Sequence, residues 1–271
     1  MAKKVYIGVG HGGSDPGAVA NGFKEKDLNL AVATYCTAYL KARGVLVKQS
    51  RTNDSEVWLN QRIREANAFG ADLAVDIHHN AGGGDGAEVY HTKYFGKGHT
   101  LAKNILNEMV KIGQNSRGTK VKKNDSNYDY FGFIRLTDMP AVLAECAFVD
   151  NKTDIKVVDT AKEQKAMGEA IAKGILKTLG IEDKIVTQKT TYSGGFPTLP
   201  AKGYFKKGDT GAQVSKLQKF LNWYGNYGLD VDGDFGNNTL SAVKKFQKAE
   251  KLTADGLFGK KSLARAKIVK K

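Results

Sequence analysis

Short apolar runs alternate along the chain with segments whose apolar residues recur every three or four positions. Val5 to Val9 is one such run, and it enters Gly10-His11-Gly12-Gly13, the pattern of a buried strand running into a loop. Leu28, Val32, Tyr35, Cys36, Tyr39 and Leu40 predict a helix over 25–43, stopped by Gly44. Val45–Val47 predicts a second strand, and Leu59, Ile63, Ala66 and Phe69 a second helix that ends at Gly70. Leu73–Ile77 predicts a third strand, which leads into His78-His79-Asn80, and Glu88–His91 a fourth. Helices follow at 100–113, with Leu101, Ile105, Met109 and Ile112, and at 160–179, with Met167, Ile171, Ile175 and Leu179. Between them, Ala141–Glu145 is an apolar strand.

Strands that alternate with helices imply an α/β domain: a mostly parallel twisted sheet flanked by helices. Ligands of such sheets bind at the carboxyl ends of the strands. Three of those ends carry polar groups suited to chemistry: His11, His78-His79 and Glu145.

Gly180 closes this domain, assigned to residues 1–181. Residues 182–203 hold Thr, Ser, Gly and Pro with little apolar periodicity and are expected to be a linker. Beyond it, Asp232-Gly-Asp-Phe-Gly-Asn-Asn-Thr239 and Asp255-Gly-Leu-Phe-Gly-Lys-Lys-Ser262 repeat one frame. Each copy reads as a tight turn feeding a helix, with Thr239 or Ser262 near the cap. Val214, Leu217, Phe220, Leu221 and Tyr224 form one helical stripe, and Leu240, Val243 and Phe246 another, so residues 204–271 are a small helical domain.

With 41% hydrophobic residues, the 271-residue chain can form real cores, which sets aside disorder, collagen and coiled coil. Its net charge of +14 points to an acidic partner: nucleic acid, anionic lipid or an anionic wall polymer. Residues 201–271 carry a net +9 of it. Cys36 and Cys146, far apart, make neither a disulfide framework nor a cysteine zinc site. No run approaches the length of a membrane-spanning helix. The N-terminus offers no cleavage site after an apolar region, so synthesis in a reducing cytoplasm without a signal peptide is expected.

His11, Glu25 and either His78 or His79 have the composition of a His₂Glu zinc site, which leaves a fourth position for water. Glycines around His11 leave room for a metal in a crowded loop. The competing reading makes His11 a loop residue and Glu25 a helix-start residue held by backbone amides and the helix dipole. His78 and His79 alternate across the strand, one sharing a face with Asp76 and the other with Val75 and Ile77. The pattern alone does not choose between them. Glu145 ends an apolar strand, where a carboxylate is costly unless solvated, paired or functional.

On these residues the first domain resembles the zinc-dependent N-acetylmuramoyl-L-alanine amidases of bacterial autolysins and phage endolysins. The matching stretches are Gly10-His-Gly-Gly-Ser-Asp-Pro-Gly-Ala18, Glu25-Lys-Asp-Leu-Asn-Leu30, Arg51-Thr-Asn-Asp54, Leu59-Asn-Gln-Arg62 with Ala66-Asn67, Asp76-Ile-His-His-Asn80, and Met139-Pro-Ala-Val-Leu-Ala-Glu145 with Phe148 and Asn151. The resemblance implies Zn²⁺ on His11, Glu25 and His78, with Glu145 as the catalytic carboxylate. It selects His78 because the family has His, one variable residue, then Asn, and Asn80 fits that Asn. Two departures stand out: Asp76 where the family usually has Ser, and Ala147 where Gly is usual. Residues 205–268 resemble a small peptidoglycan-binding domain built as a three-helix bundle.

The implied function is zinc-dependent hydrolysis of the amide between N-acetylmuramic acid and L-alanine, giving wall lysis, as in a phage endolysin released by membrane holes. A sporulation-stage autolysin with the same chemistry is the alternative, and a zinc endopeptidase of the stem peptide is a rival. A non-catalytic wall- or nucleic-acid-binding protein is disfavoured, because such a module needs no complete His, Glu, His, Glu set and RNA-binding motifs are missing. The expected partners are muramyl peptides of peptidoglycan and anionic wall polymers, not nucleic acid. A monomer is expected, acting on the wall after the membrane is permeabilised or lysed.

Overall fold

A computed structural model of the chain describes residues 2–184, 192, 194–225 and 227–269. The chain divides into two compact units, Met1–Val186 and Thr187–Lys271. The first unit runs β1 (Lys4–Val9), β2 (Val19–Ala20), β3 (Phe23–Lys24), α1 (Glu25–Lys41), β4 (Leu46–Gln49), α2 (Leu59–Phe69), β5 (Leu73–Asn80), β6 (Ala87–His91), α3 (Gly96–Lys111), β7 (Ser116–Lys120), α4 (Gly132–Leu136), β8 (Ala141–Phe148) and α5 (Ala161–Leu179). Six strands form one sheet in the order β4-β1-β5-β8-β6-β7. Neighbours in it are parallel except β6 and β8, which run antiparallel. The mixed, mostly parallel sheet matches the expectation from the sequence.

Strand alternation sorts side chains onto two faces. Val5, Ile7 and Val9 of β1, Leu73, Val75 and Ile77 of β5, and Val142, Ala144 and Cys146 of β8 enter one core with apolar residues of α1, α3 and α5. Tyr6, Ala74 and Ala141 face the other way and pack with Ile63 and Ala66 of α2 and Phe133 of α4. The same alternation places Asp76, His78 and Glu145 on the α2–α4 side of the sheet and His79 on the α1 side. Gly70 and Gly180 end α2 and α5 in the left-handed region, at φ 63° and 68°, as the helix-stop reading requires.

Several boundaries differ from expectation. α3 begins at Gly96, one turn before Thr100, and ends at Lys111. β4 occupies Leu46–Gln49 rather than Val45–Val47. The edge strand β7, the short helix α4 and the β2–β3 hairpin carry little apolar periodicity and had no counterpart in the pattern.

The second unit holds β9 (Tyr204–Phe205), α6 (Ala212–Gly225), α7 (Asn237–Ala249), β10 (Phe258–Gly259) and α8 (Lys260–Ile268). Its core gathers Phe205, Val214, Leu217, Phe220, Leu221, Phe235, Val243, Phe246 and Phe258. Part of the expected linker, at 185–191 and 193, lies outside the described residues. Tyr192, Phe196 and Leu199 of the same segment pack against the second core. The sequence repeat is also a structural one. Buried Gln218 donates to Asp232 Oδ1 (2.7 Å) and accepts from Gly233 N (2.9 Å), and buried Gln247 donates to Asp255 Oδ1 (2.8 Å) and accepts from Gly256 N (2.9 Å). Thr239 and Ser262 stand in the first turn and meet these glutamines, while Gly236 and Gly259 occupy the caps. Among the described residues no helix is long and apolar enough to cross a membrane.

Candidate metal centre and catalytic carboxylate

Three elements bring His11, Glu25 and His78 together at the carboxyl edge of the sheet. His11 follows β1, Glu25 is the first residue of α1, and His78 lies near the end of β5. One ligand atom from each lies within 4.8 Å of the others. His11 Nε2 stands 3.1 Å from Glu25 Oε2, and His78 Nδ1 stands 2.9 Å from Glu25 Oε1. Backbone amides of Ala18 (3.0 Å) and His79 (3.1 Å) and the Asn29 side chain (3.2 Å) also donate to Glu25. The helix-start reading of Glu25 is thus correct in its contacts, but it leaves the two converging imidazoles unexplained.

Each imidazole presents its other nitrogen to a second carboxylate. His11 Nδ1 meets Asp15 Oδ2 at 2.7 Å, and His78 Nε2 meets Asp76 Oδ2 at 3.5 Å. A carboxylate on the far nitrogen fixes the ring and makes the near nitrogen a better donor to a cation. Asp76, which stands where the resembled family usually has Ser, is buried and anchored by Arg62 Nη1 at 2.9 Å. His79, by contrast, turns to the α1 side and meets Asn29 Oδ1 at 2.7 Å. The face shared with Val75 and Ile77 is therefore the packing face, and His78 is the histidine brought to the cluster.

Burial opposes charge throughout the site, and the pairs decide which groups carry it. Glu25 is desolvated, yet hydrogen bonds and charge from His11 and His78 hold its carboxyl far below the usual range. Burial works against a charged His78, but Asp76 and Glu25 outweigh it and push the ring up to about 10. Burial alone dominates at His79, which falls to about 4. Two buried carboxylates thus demand positive charge at His11 and His78, which protons or a cation can supply.

The residues present fit a zinc ion. They supply a His₂Glu donor set with carboxylates behind both imidazoles. The backbone is also carved for close approach. A Cβ at Gly10 would fall 2.2 Å from His78 Cε1, and one at Gly17, where φ is 64°, would fall 2.5 Å from Glu25 Oε2.

Glu145 pairs in register with His78 across β5–β8 and with Glu88 across β8–β6. Its Oε2 is buried and has no hydrogen-bond partner among the described residues. Burial first, opposed by His78 and reinforced by Glu25, Glu88 and Asp76, pushes its carboxyl up to about 7. Glu88 escaped the sequence reading. It is buried and accepts from Asn80 (3.0 Å), Tyr90 (2.7 Å), Arg117 (2.8 Å) and Lys120. The available signal was a carboxylate inside an alternating strand, Ala-Glu-Val-Tyr-His, where water cannot solvate it freely.

The chain is 36% identical over 182 residues to the N-acetylmuramoyl-L-alanine amidase CwlM of Bacillus licheniformis, covering 66% of this chain and 69% of that one. It is 36% identical over 193 residues to the endolysin of Bacillus phage SPP1, covering 68% and 69%. Among solved structures it resembles Cwp6 from Clostridium difficile, with a TM-score of 0.65 and 37% identity over 66% of this chain, which spans 30% of the length of Cwp6. Residues 210–265 match a peptidoglycan binding domain. Residues 5–177 match the N-acetylmuramoyl-L-alanine amidase family, and the chain belongs to that family.

Proposed function

We propose that the protein hydrolyses the amide between N-acetylmuramic acid and L-alanine in peptidoglycan, with zinc held by His11, Glu25 and His78. The observation that carries this reading is the convergence of those three residues beside Glu145, a buried carboxyl with one oxygen unpartnered among the described residues. When bound, zinc in such a set supplies a Lewis acid that polarises a carbonyl and lowers the pKa of water. Glu145 takes a proton from the attacking water as the carbon–oxygen bond forms. It returns that proton to the amide nitrogen as the carbon–nitrogen bond breaks and the L-alanine amine leaves. A carboxyl poised near neutrality suits both directions of transfer. The Asn29 side chain and the amides of Ala18 and His79 hold Glu25 in place.

The second unit retains the enzyme at the wall. Its match to a peptidoglycan binding domain and the net +9 of residues 201–271 support specific contacts joined to attraction by anionic polymers. Trp223, Tyr224 and Tyr227 pack against the second core, which favours a structural role over a sugar-stacking face. The likeness to a phage endolysin supports a role in host lysis, and a sporulation autolysin would use the same chemistry. Chelation should abolish wall lysis and added Zn²⁺ should restore it. Full activity in metal-stripped protein would refute the reading.

A further inference from the structure

We infer that the hollow beside His11, lined in part by Trp58, receives the sugar side of the substrate, and that the β7 edge receives its peptide side. This rests on the amidase reading above and adds a direction to it. The hollow has a volume of about 160 Å³, and its lining includes His11, Asp15, Glu56, Trp58, Leu59 and Arg62. Trp58 immediately precedes α2 and is 67% exposed, an open indole beside a proposed metal ligand. Broad aromatic faces bury the apolar face of a ring while leaving polar edges free. Glu56 Oε1 accepts from Ser14 Oγ at 2.9 Å, and Asp15 is held by His11 and by the Gly17 amide at 3.0 Å. An indole flanked by two carboxylates, with the Arg62 charge of the lining already met by Asp76, suits a neutral ring rich in hydroxyl donors. It disfavours a peptide that carries its own carboxylates, by like-charge repulsion.

The opposite flank has the opposite charge. From His78 the sheet presents Glu145, then Glu88, then Arg117 and Lys120 of β7. Both cations share one oxygen of Glu88, so this edge keeps a net positive charge. The scissile amide joins a sugar-borne acyl group to a carboxylate-bearing peptide, and these two parts leave it in opposite directions. Trp58 and the Arg117–Lys120 pair stand on opposite sides of the cluster in the same order.

The test is cleavage kinetics on a soluble disaccharide-peptide, with a free carboxylate-bearing dipeptide that begins with L-alanine as inhibitor. Trp58→Ala should raise KM about fivefold to tenfold with kcat unchanged, because contacts shared by ground and transition states affect KM alone. Trp58→Tyr should recover most of the loss. Inhibition by the dipeptide should be unaffected in Trp58→Ala and weakened in Arg117→Gln. A Trp58→Ala variant with wild-type KM, or one that loses dipeptide inhibition as strongly as substrate binding, would overturn the assignment. Binding of the disaccharide alone is read from the fluorescence change that Trp58→Phe removes. That signal is scored whether or not the amide is cut, so failure of the amidase reading and failure of the sugar subsite are distinguished.

Discussion

His78 and Glu145 face each other in register on adjacent parallel strands, on the same face of the sheet. This places a proposed cation ligand and a proposed proton carrier side by side on rigid elements rather than on loops. It also makes the two roles separable. Glu145→Ala should retain bound zinc and wall affinity while turnover falls by roughly 10²–10⁴-fold. Cys146 points into the opposite core, so Cys146→Ala should leave turnover near wild type at equal zinc content. The measurement is turnover normalised to metal stoichiometry, and an active Glu145→Ala enzyme would make Glu145 structural.

The two adjacent histidines should behave differently. His78→Ala should lose stoichiometric zinc, whereas His79→Ala should keep it and lose thermal stability, because His79 bonds Asn29 inside the fold. Gly10→Ala gives an independent check, since its Cβ would displace the His78 ring. Zinc affinity should fall about tenfold or more. Metal titration of the three variants would show it, and wild-type affinity in Gly10→Ala would contradict the geometry.

Protonation of Glu145 should set the acid limb of the rate profile. The ionised form is the base, so activity is lost as pH falls through about 7, or lower where a bound cation favours the carboxylate. Stability runs the other way. The folded carboxyl titrates above its unfolded value, so the folded state binds the extra proton and the metal-free protein loses stability as pH rises through the window from the usual carboxylate range to about 7. Glu145→Gln should therefore be more stable than wild type at pH near 8, with the difference vanishing near pH 4. Denaturant melts at both pH values measure it, and an equal difference at both would contradict the burial of an ionised Glu145.

The paired glutamines of the second unit should be equivalent in stability. Each satisfies a turn carboxylate and a turn amide from inside the core. Gln218→Ala and Gln247→Ala should each cost about 1–3 kcal/mol by leaving buried groups unpaired. Calorimetry of the full chain would follow the second unit's transition, and an unchanged midpoint in either variant would argue against a shared structural role.

Much of this architecture was legible because burial leaves a periodic mark. The runs at Val5–Val9, Leu73–Ile77 and Ala141–Glu145 are buried strands, and the stripe from Leu28 to Leu40 is the packed face of α1. β7 was not legible: Ser-Arg-Gly-Thr-Lys is a polar edge strand with no apolar alternation to detect. The antiparallel entry of β6 depends on connection geometry rather than on its own side chains. At the site, residue types and the family resemblance pointed to His11, Glu25 and His78. Strand alternation by itself could not choose between His78 and His79, and the seated strand shows which face each takes. Arg62 behind Asp76, Asp15 behind His11 and the cations on Glu88 are long-range or loop-made pairs that no local spacing announces.

The products of purified walls digested with zinc-loaded protein identify the bond that is cut. Mass spectrometry with amino-terminal labelling should show new free N-terminal L-alanine, in step with peptide-free N-acetylmuramic acid on the glycan. Neither should form with chelated protein, and both should form far more slowly with Glu145→Ala. New amino termini on any other residue of the stem peptide, or cut glycan with the peptide still attached, would contradict the account.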